Sequence, residues 1–265
     1  MDIPLYQVDA FTDHPFSGNP AAVCPLEDWL ADDLLAAIAA ENNLSETAFL
    51  VPGRNGAQAD YELRWFTPEV EVDLCGHATL ASAHTVFEHL EPTSDSVAFS
   101  TRSGLLRVQR DRDGRLRMDL PADHRAVVRP DERTGQLLGE ILGGPPVAVL
   151  GGSTWIAVLE SEQAVAMLRP DPVTVARLDP PYLNVTGPGS PGSGVDFVSR
   201  YFAPGAGIAE DPVTGSAHCA LTPYWADRLG RTRLKARQVS ARGGDLDCEL
   251  TGDRVVIRGH AVEVI

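Results

Sequence analysis

The stretch "RWFTPEVEVDLCGHATLASAHTVF" (64–87) decides the reading of this chain, because a second stretch, "RYFAPGAGIAEDPVTGSAHCALTPYW" (200–225), echoes it. Both begin with Arg, an aromatic, Phe, a small residue and Pro. Both pass acidic residues and reach a Gly followed by a polar residue and a run of small ones. The second copy is three residues longer between its Pro and its Gly, and the two glycines, Gly76 and Gly215, lie about half the chain apart. Self-similarity at that spacing is the mark of a duplicated unit. Each copy reads as strand, tight turn, helix. The helix runs, with Ala78, Thr79, Ala81, Ser82 and Ala83 in one and Ala217 and Ala220 in the other, are small enough to be enclosed on all sides. Each helix starts at a Gly, where free N–H groups and the positive dipole end favour an anion. Two such starts suit a small carboxylate.

The flanking sequence supports a mixed α+β chain. "IPLYQVDAF" alternates as a strand, and "HPFSGNPAAV" turns into a second one. "PLEDWLADDLLAAIAAENNL" (25–44) carries Trp29, Leu30, Leu34, Leu35 and Ile38 at helical spacing and ends at Asn42–Asn43. "SETAFLVP" and "ADYELRWFTP" are strands, as are "SVAFST", "LLRVQRD" and "LRMDLPA", with a hairpin turn at Asp113–Gly114. A polar, Pro/Gly-rich passage around 122–146 holds a short helix, "DERTGQLLGEIL", and reads as a crossover. Strands resume at "PVAVLGG" and "STWIAVLES". "SEQAVAMLRPDPVTVARL" is a helix interrupted by Pro170 and Pro172. Gly187, Gly189 and Gly192 spell G-x-G-x-x-G, but a strand-like "VDFVSRYF" follows where a dinucleotide fold needs a helix, so this is read as a loop. Domains are expected at 1–125 and 126–255.

Composition narrows the function. The chain has 265 residues, 43% of them hydrophobic and 22% charged, which is a folded globular composition. A net charge of −15 repels phosphate backbones and anionic lipid, so neither nucleic acid nor a membrane surface is expected as a partner. The one dense basic stretch, "RLGRTRLKARQ" (228–238), reads as a solvated helix end and loop. "MDIPLYQVDAF" has neither the cationic nor the apolar region of a signal peptide, and no window is apolar enough for a membrane span; a cytoplasmic protein is expected. Cys24, Cys75, Cys219 and Cys248 are dispersed with no Cys-x-x-Cys, as free thiols rather than a disulfide or zinc framework.

Five collinear pieces, "VDAFTDHPFSGNPAAV" (8–23), "NLSETAFLV" (43–51), "RWFTPEVEVDLCGHATLASA" (64–83), "FAPGAGIAEDPVTGSAHCAL" (202–221) and "VIRGHAVEV" (256–264), resemble the PhzF-like phenazine-biosynthesis family and, more distantly, the diaminopimelate epimerases. The resemblance implies two pseudo-symmetric domains, each a β-barrel around a central helix, with the active site between them and neither cofactor nor metal. It implies that the last strand, 256–265, can join the first domain, and a homodimer is common in such folds. Its best-known member moves a proton within a cyclic amino-hydroxy acid. Carried over by position, Glu46 of "SETAF" matches the proton-shuttling glutamate, and His77 and Asp211 match its polar partners. Ser216 with the N–H groups near Gly76 and Gly215 matches the carboxylate cradle, flanked by Cys75 and Thr214. Two departures follow. The phenazine enzyme has Asp where Cys75 stands, so the resemblance does not extend to naming that substrate. The epimerases carry a thiol at both helix starts, whereas Thr214 offers only a hydroxyl that cannot act as a thiolate base.

The resulting expectation is a cofactor-independent isomerase that moves a proton within a small amino or hydroxy acid, with Glu46 as general acid/base. Burial would raise the Glu46 pKa towards neutrality, and the helix dipole would keep His77 neutral. Two alternatives stay open: a non-catalytic small-anion binder, and a hydrolase with Cys75 as nucleophile, for which no orienting third group is evident. His77 and His84 share a helix face, but without an accompanying carboxylate they make a poor metal site. His84, His89 and His218 read as structural.

Overall fold

The computed structural model describes residues 2–54 and 58–265. Two compact units divide the chain: residues 1–120 with 256–265, and residues 121–255. The first unit runs β1 (Tyr6–Ala10), β2 (Asn19–Pro25), α1 (Asp32–Asn42), β3 (Glu46–Pro52), β4 (Tyr61–Phe66), β5 (Glu71–Val72), α2 (Gly76–Thr85), β6 (Ser96–Thr101), β7 (Gly104–Arg110) and β8 (Leu116–Pro121). The second runs α3 (Glu132–Leu142), β9 (Ala148–Leu150), β10 (Trp155–Val158), α4 (Glu162–Met167), α5 (Pro172–Val175), β11 (Leu183–Pro188), β12 (Phe197–Ala203), β13 (Ile208–Asp211), α6 (Gly215–Leu229), β14 (Arg233–Gln238) and β15 (Gly244–Thr251). The chain passes back to the first unit in β16 (Arg254–Gly259), and β17 (Ala261–Glu263) pairs antiparallel with β1.

The echo in sequence is an echo of topology. In the first unit β1–β2 is antiparallel, β2–β3 parallel, β3–β4 and β4–β5 antiparallel, β4–β6 parallel and β6–β7 antiparallel. In the second, β9–β10, β10–β11, β11–β12, β12–β13, β12–β14 and β14–β15 repeat that order of directions one for one. The central helix occupies the same place in each, α2 before β6 and α6 before β14.

The shared Arg-aromatic-Phe motif has one physical job in both units. Arg64 donates from Nε and Nη2 to the two oxygens of Glu71, each at 2.7 Å. Arg200 does the same to Glu210, at 2.7 and 2.8 Å. Each guanidinium also lies over the Phe two residues on, 5.1 Å from the Phe66 ring and 4.9 Å from the Phe202 ring. Forked, charge-assisted pairing of this kind fixes direction as well as distance. It ties the strand before each turn to the short strand after it, and so aims the helix that follows.

α2 is buried along nearly its whole length: of its residues only His84 is not buried, and Ala78, Leu80, Ala81 and Ala83 are fully enclosed. Its buried hydroxyls are satisfied locally, Thr79, Ser82 and Thr85 donating to the carbonyls of Cys75, Ala78 and Ala81 four residues back. Small side chains allow the sheet to approach, and the short polar ones bring no need for distant partners. The four cysteines are buried free thiols, and no described helix is long and apolar enough to cross a membrane.

Three expectations are corrected. The helix expected over 25–44 starts only at Asp32, since Pro25 ends β2; of the expected apolar stripe Leu35 is buried and Leu34 is exposed. In the basic stretch 228–238 the helix does end, at Leu229 with Gly230 left-handed, but Arg233–Gln238 is a strand whose Leu234, Ala236 and Gln238 alternate inward. Gly187 lies inside β11, where an added Cβ would come within 2.9 Å of the Ser161 carbonyl oxygen; close backbone approach, not phosphate binding, explains it.

In α6, His218 is fully buried, donates from Nδ1 to the Thr214 carbonyl at 2.8 Å and lies 5.8 Å from the Phe197 ring. Burial pulls its pKa down from 6.5 to about 4. Two stability predictions follow from these contacts. Breaking the Arg200 clamp by Glu210→Gln removes the counter-charge of a buried guanidinium and should cost about 3 kcal/mol in urea unfolding. Asp245→Asn, which opens the exposed Arg237–Asp245 pair, should cost less than about 1 kcal/mol; equal costs would sink the clamp argument. For His218, the unfolded chain binds a proton below pH 6.5 that the folded chain refuses until about 4. Stability is therefore lost as pH falls through that window, by up to about 3 kcal/mol. His218→Gln should flatten this part of the acid limb, and parallel wild-type and variant curves would show the attribution to be wrong.

Candidate functional site

The first group of candidate residues converges on the start of α2. Cys75 is the N-cap, in extended conformation, and Gly76 and His77 open the helix. Glu46 is the first residue of β3 and sits beside Ala21 of β2 in parallel register. Asn19 begins β2. Gly18 makes that start possible: its φ is +64°, and a Cβ there would lie 2.2 Å from the Ala10 carbonyl oxygen.

His77 is the centre of the group. Its Nε2 lies 3.1 Å from Glu46 Oε2, and its Nδ1 is 3.0 Å from Asn19 Nδ2 and 3.5 Å from Cys75 Sγ. The ring is 4% exposed. In the neutral ring, with the Asn19 amide donating, Nδ1 accepts and the proton sits on Nε2, facing the carboxylate. The Nε2–Oε2 approach has ion-pair distance without hydrogen-bond alignment, and both atoms are buried with no aligned partner.

The electrostatics correct one expectation. Burial disfavours the imidazolium, but the adjoining Cys75 and the Glu46 carboxylate outweigh it and hold His77 well above the ordinary imidazole range. The helix dipole is thus not the ruling influence on this ring. The structure also supplies what the sequence left without an evident candidate, a third group orienting the Cys75–His77 pair: Glu46. Yet burial, with the Glu46 charge, pushes the Cys75 thiol up to about 11. A protonated, enclosed thiol is a poor nucleophile near neutrality.

The second group forms at the start of α6. Asp211 ends β13, Thr214 is the N-cap, Gly215 opens the helix buried, and Ser216 is exposed. Thr214 does not cap its own helix with its side chain. Its hydroxyl donates to Asp211 Oδ2 at 2.5 Å and its N–H to Gln238 Oε1 at 2.9 Å. Gln238 Nε2 donates to the Asp211 carbonyl at 2.7 Å. Asp211, Thr214 and Gln238 therefore lock one turn, with the Asp211 carboxylate holding the Thr214 hydroxyl.

Asn19 and Gln238 were not among the residues singled out from sequence. Asn19 lay inside the 8–23 motif, flagged only by the Gly18 before it. Gln238 was hidden because its strand read as a loop. As for metals, the Glu46 oxygen, Cys75 sulfur and His77 nitrogen lie within 4.8 Å of one another, the one such group among the described residues. His84, weighed from sequence as a partner of His77, is not part of it; burial lowers its pKa.

Comparison with known proteins places this geometry. The profile of the phenazine biosynthesis-like protein family matches residues 8–265. An uncharacterised isomerase of Pseudomonas aeruginosa is 52% identical over 265 residues, covering 100% of this chain and 97% of that protein. A second from the same organism is 52% identical over 262 residues, 98% of this chain and 96% of the relative. Among solved structures, a PhzF-family protein of Enterococcus faecalis superposes with a TM-score of 0.91 at 42% identity, covering 100% of this chain and 98% of that one. A hydroxyproline epimerase of Agrobacterium vitis, with bound trans-4-hydroxy-L-proline, shares the fold alone: TM-score 0.60, 14% identity, covering 99% of this chain and 91% of that one. Expected from five short motifs and matched now over nearly the full length, the chain belongs to the phenazine biosynthesis-like family and is an isomerase.

Proposed function

We propose that this isomerase moves a proton within a small carboxylate, an amino or hydroxy acid, with Glu46 as general acid and base and without a cofactor. The observation that carries the reading is the approach of Glu46 Oε2 to His77 Nε2, at 3.1 Å, at the start of a helix enclosed on nearly every side. In this reading Glu46 takes a C–H proton and returns it to another position of the same molecule. His77, held by Asn19 and drawn towards the protonated form, balances the carboxylate charge and answers the charge that develops. The N–H groups around Gly76 and Cys75 favour a negatively charged substrate group. The second unit offers an anion-favouring turn of its own, in which Asp211 grips the Thr214 hydroxyl beside Gly215 and the exposed Ser216, and this turn is assigned to binding a carboxylate.

The hydroxyproline epimerase of this fold holds a small carboxylate, which supports the substrate class without naming the substrate. The raised thiol of Cys75 speaks against a cysteine hydrolase. Closure of each sheet into a barrel around its helix, and a homodimer, belong to the same proposal.

The test is a panel of small amino and hydroxy acids in deuterated water, followed by NMR for deuterium at carbon and for product. Wild-type enzyme should convert at least one acid. Glu46→Gln, which keeps shape and removes the base, should lower kcat by about 10²–10⁴-fold with little change in KM. Full activity in Glu46→Gln would overturn the shuttle. Tight binding of an acid with neither exchange nor product would make the protein a binder.

A further inference from the structure

Proton transfer gives no task to the sulfur of Cys75, although the fold delivers it to the same place as Glu46 and His77. The three side chains offer one oxygen, one nitrogen and one sulfur within 4.8 Å of one another. That mixed donor set suits a borderline divalent ion, zinc above all, and suits magnesium or calcium poorly. The backbone positions are fixed: Glu46 opens β3, Cys75 caps α2, and His77 lies in its first turn. A second observation points to a ligand. His77 Nε2 and Glu46 Oε2 are buried atoms without an aligned hydrogen bond, on a ring only 4% exposed. They approach each other at 3.1 Å without alignment, and one cation between them would give both an aligned partner.

We propose that Glu46, Cys75 and His77 form a Zn²⁺ site, and that the zinc-bound form of the enzyme is switched off. The ion takes Nε2 of His77, an oxygen of Glu46 and the sulfur of Cys75. Sulfur now stands nearer Nδ1, 3.5 Å away, so its side chain turns towards the Nε2 side. Binding converts Cys75 from thiol to thiolate and releases that proton to solvent. The Nε2 proton of His77 also leaves to solvent, and the ring keeps one proton, on Nδ1, where the Asn19 amide turns its oxygen to accept it. No electron changes hands. With its oxygen lone pair on the metal, Glu46 cannot accept a substrate proton, so zinc and turnover exclude one another. The inhibition rests on the proton-transfer role proposed for Glu46; the binding does not.

The experiment titrates the metal-free full chain with Co²⁺ and reads the near-ultraviolet thiolate-to-cobalt charge-transfer band. The expected result is a band that saturates at one equivalent, bleaches when Zn²⁺ is added, and is lost in Cys75→Ser. Absence of the band, or its survival in Cys75→Ser on one of the other three buried cysteines, would overturn the site. Should Cys75→Ser fail to fold by circular dichroism, Glu46→Gln and His77→Gln decide: each should weaken Co²⁺ binding by more than about ten-fold, a loss seen even for outer-shell partners of a metal. Unchanged affinity in both overturns the proposal. The proton-exchange assay run without metal separates the two readings. Exchange with no cobalt band removes the zinc site alone. A band with no exchange keeps the site and removes the inhibition.

Discussion

The forked pairing of an arginine with a glutamate, made once in each unit, is the constraint on which the rest of the architecture depends. Arg64 with Glu71 and Arg200 with Glu210 each tie a long strand to the short one after it. The chain between them must turn at a set angle, and it emerges as a helix at Gly76 or Gly215. A single ammonium could neutralise the glutamate but could not fix both of its oxygens, so lysine would not reproduce the turn. In each copy the Phe two residues on supports the guanidinium face. Partial burial makes this pair costly to break, in contrast to exposed pairs such as Arg237–Asp245.

That constraint explains the composition of the helices. A helix packed closely on its sheet must be narrow, and six of the ten residues of α2 are Ala, Ser or Thr, with the hydroxyls returned to its own backbone. Neither α2 nor α6 is capped by the side chain of its N-cap residue. In the second unit the Thr214 hydroxyl is taken by Asp211 and its N–H by Gln238. The locked turn that results gives up side-chain helix capping for a fixed backbone at the helix start.

The chemistry of the first site comes from opposition between burial and charge. Enclosure raises the Cys75 thiol and by itself would strip the proton from His77. Cys75 and Glu46 together reverse the second effect, and Glu46 adds to the first. The outcome is a protonated thiol on one side of the ring and a well-held ring proton on the other. The same crowding sets one oxygen, one nitrogen and one sulfur within 4.8 Å of one another.

Much of this was legible in the sequence. Local alternation located the strands at Glu46–Pro52 and Tyr61–Phe66, and the paired motifs located both helix starts, because period and turn chemistry are properties of neighbouring residues. Where neighbours conflict, local reading failed: Arg233–Gln238 carries strand alternation under a surface run of charge, and its membership in a sheet was decided by pairing with β12 and β15. Residue identity pointed to Glu46, His77 and Asp211. It could not reveal Asn19 and Gln238, which matter only through contacts spanning 58 and 24 residues of chain. Nor could it settle the proton on His77, which the helix start alone would have lowered. Composition and short-range pattern thus determined the elements, their repeat and the candidate residues. Only tertiary structure decided their charge states and partners, since burial and proximity are made by segments that the chain brings together from afar.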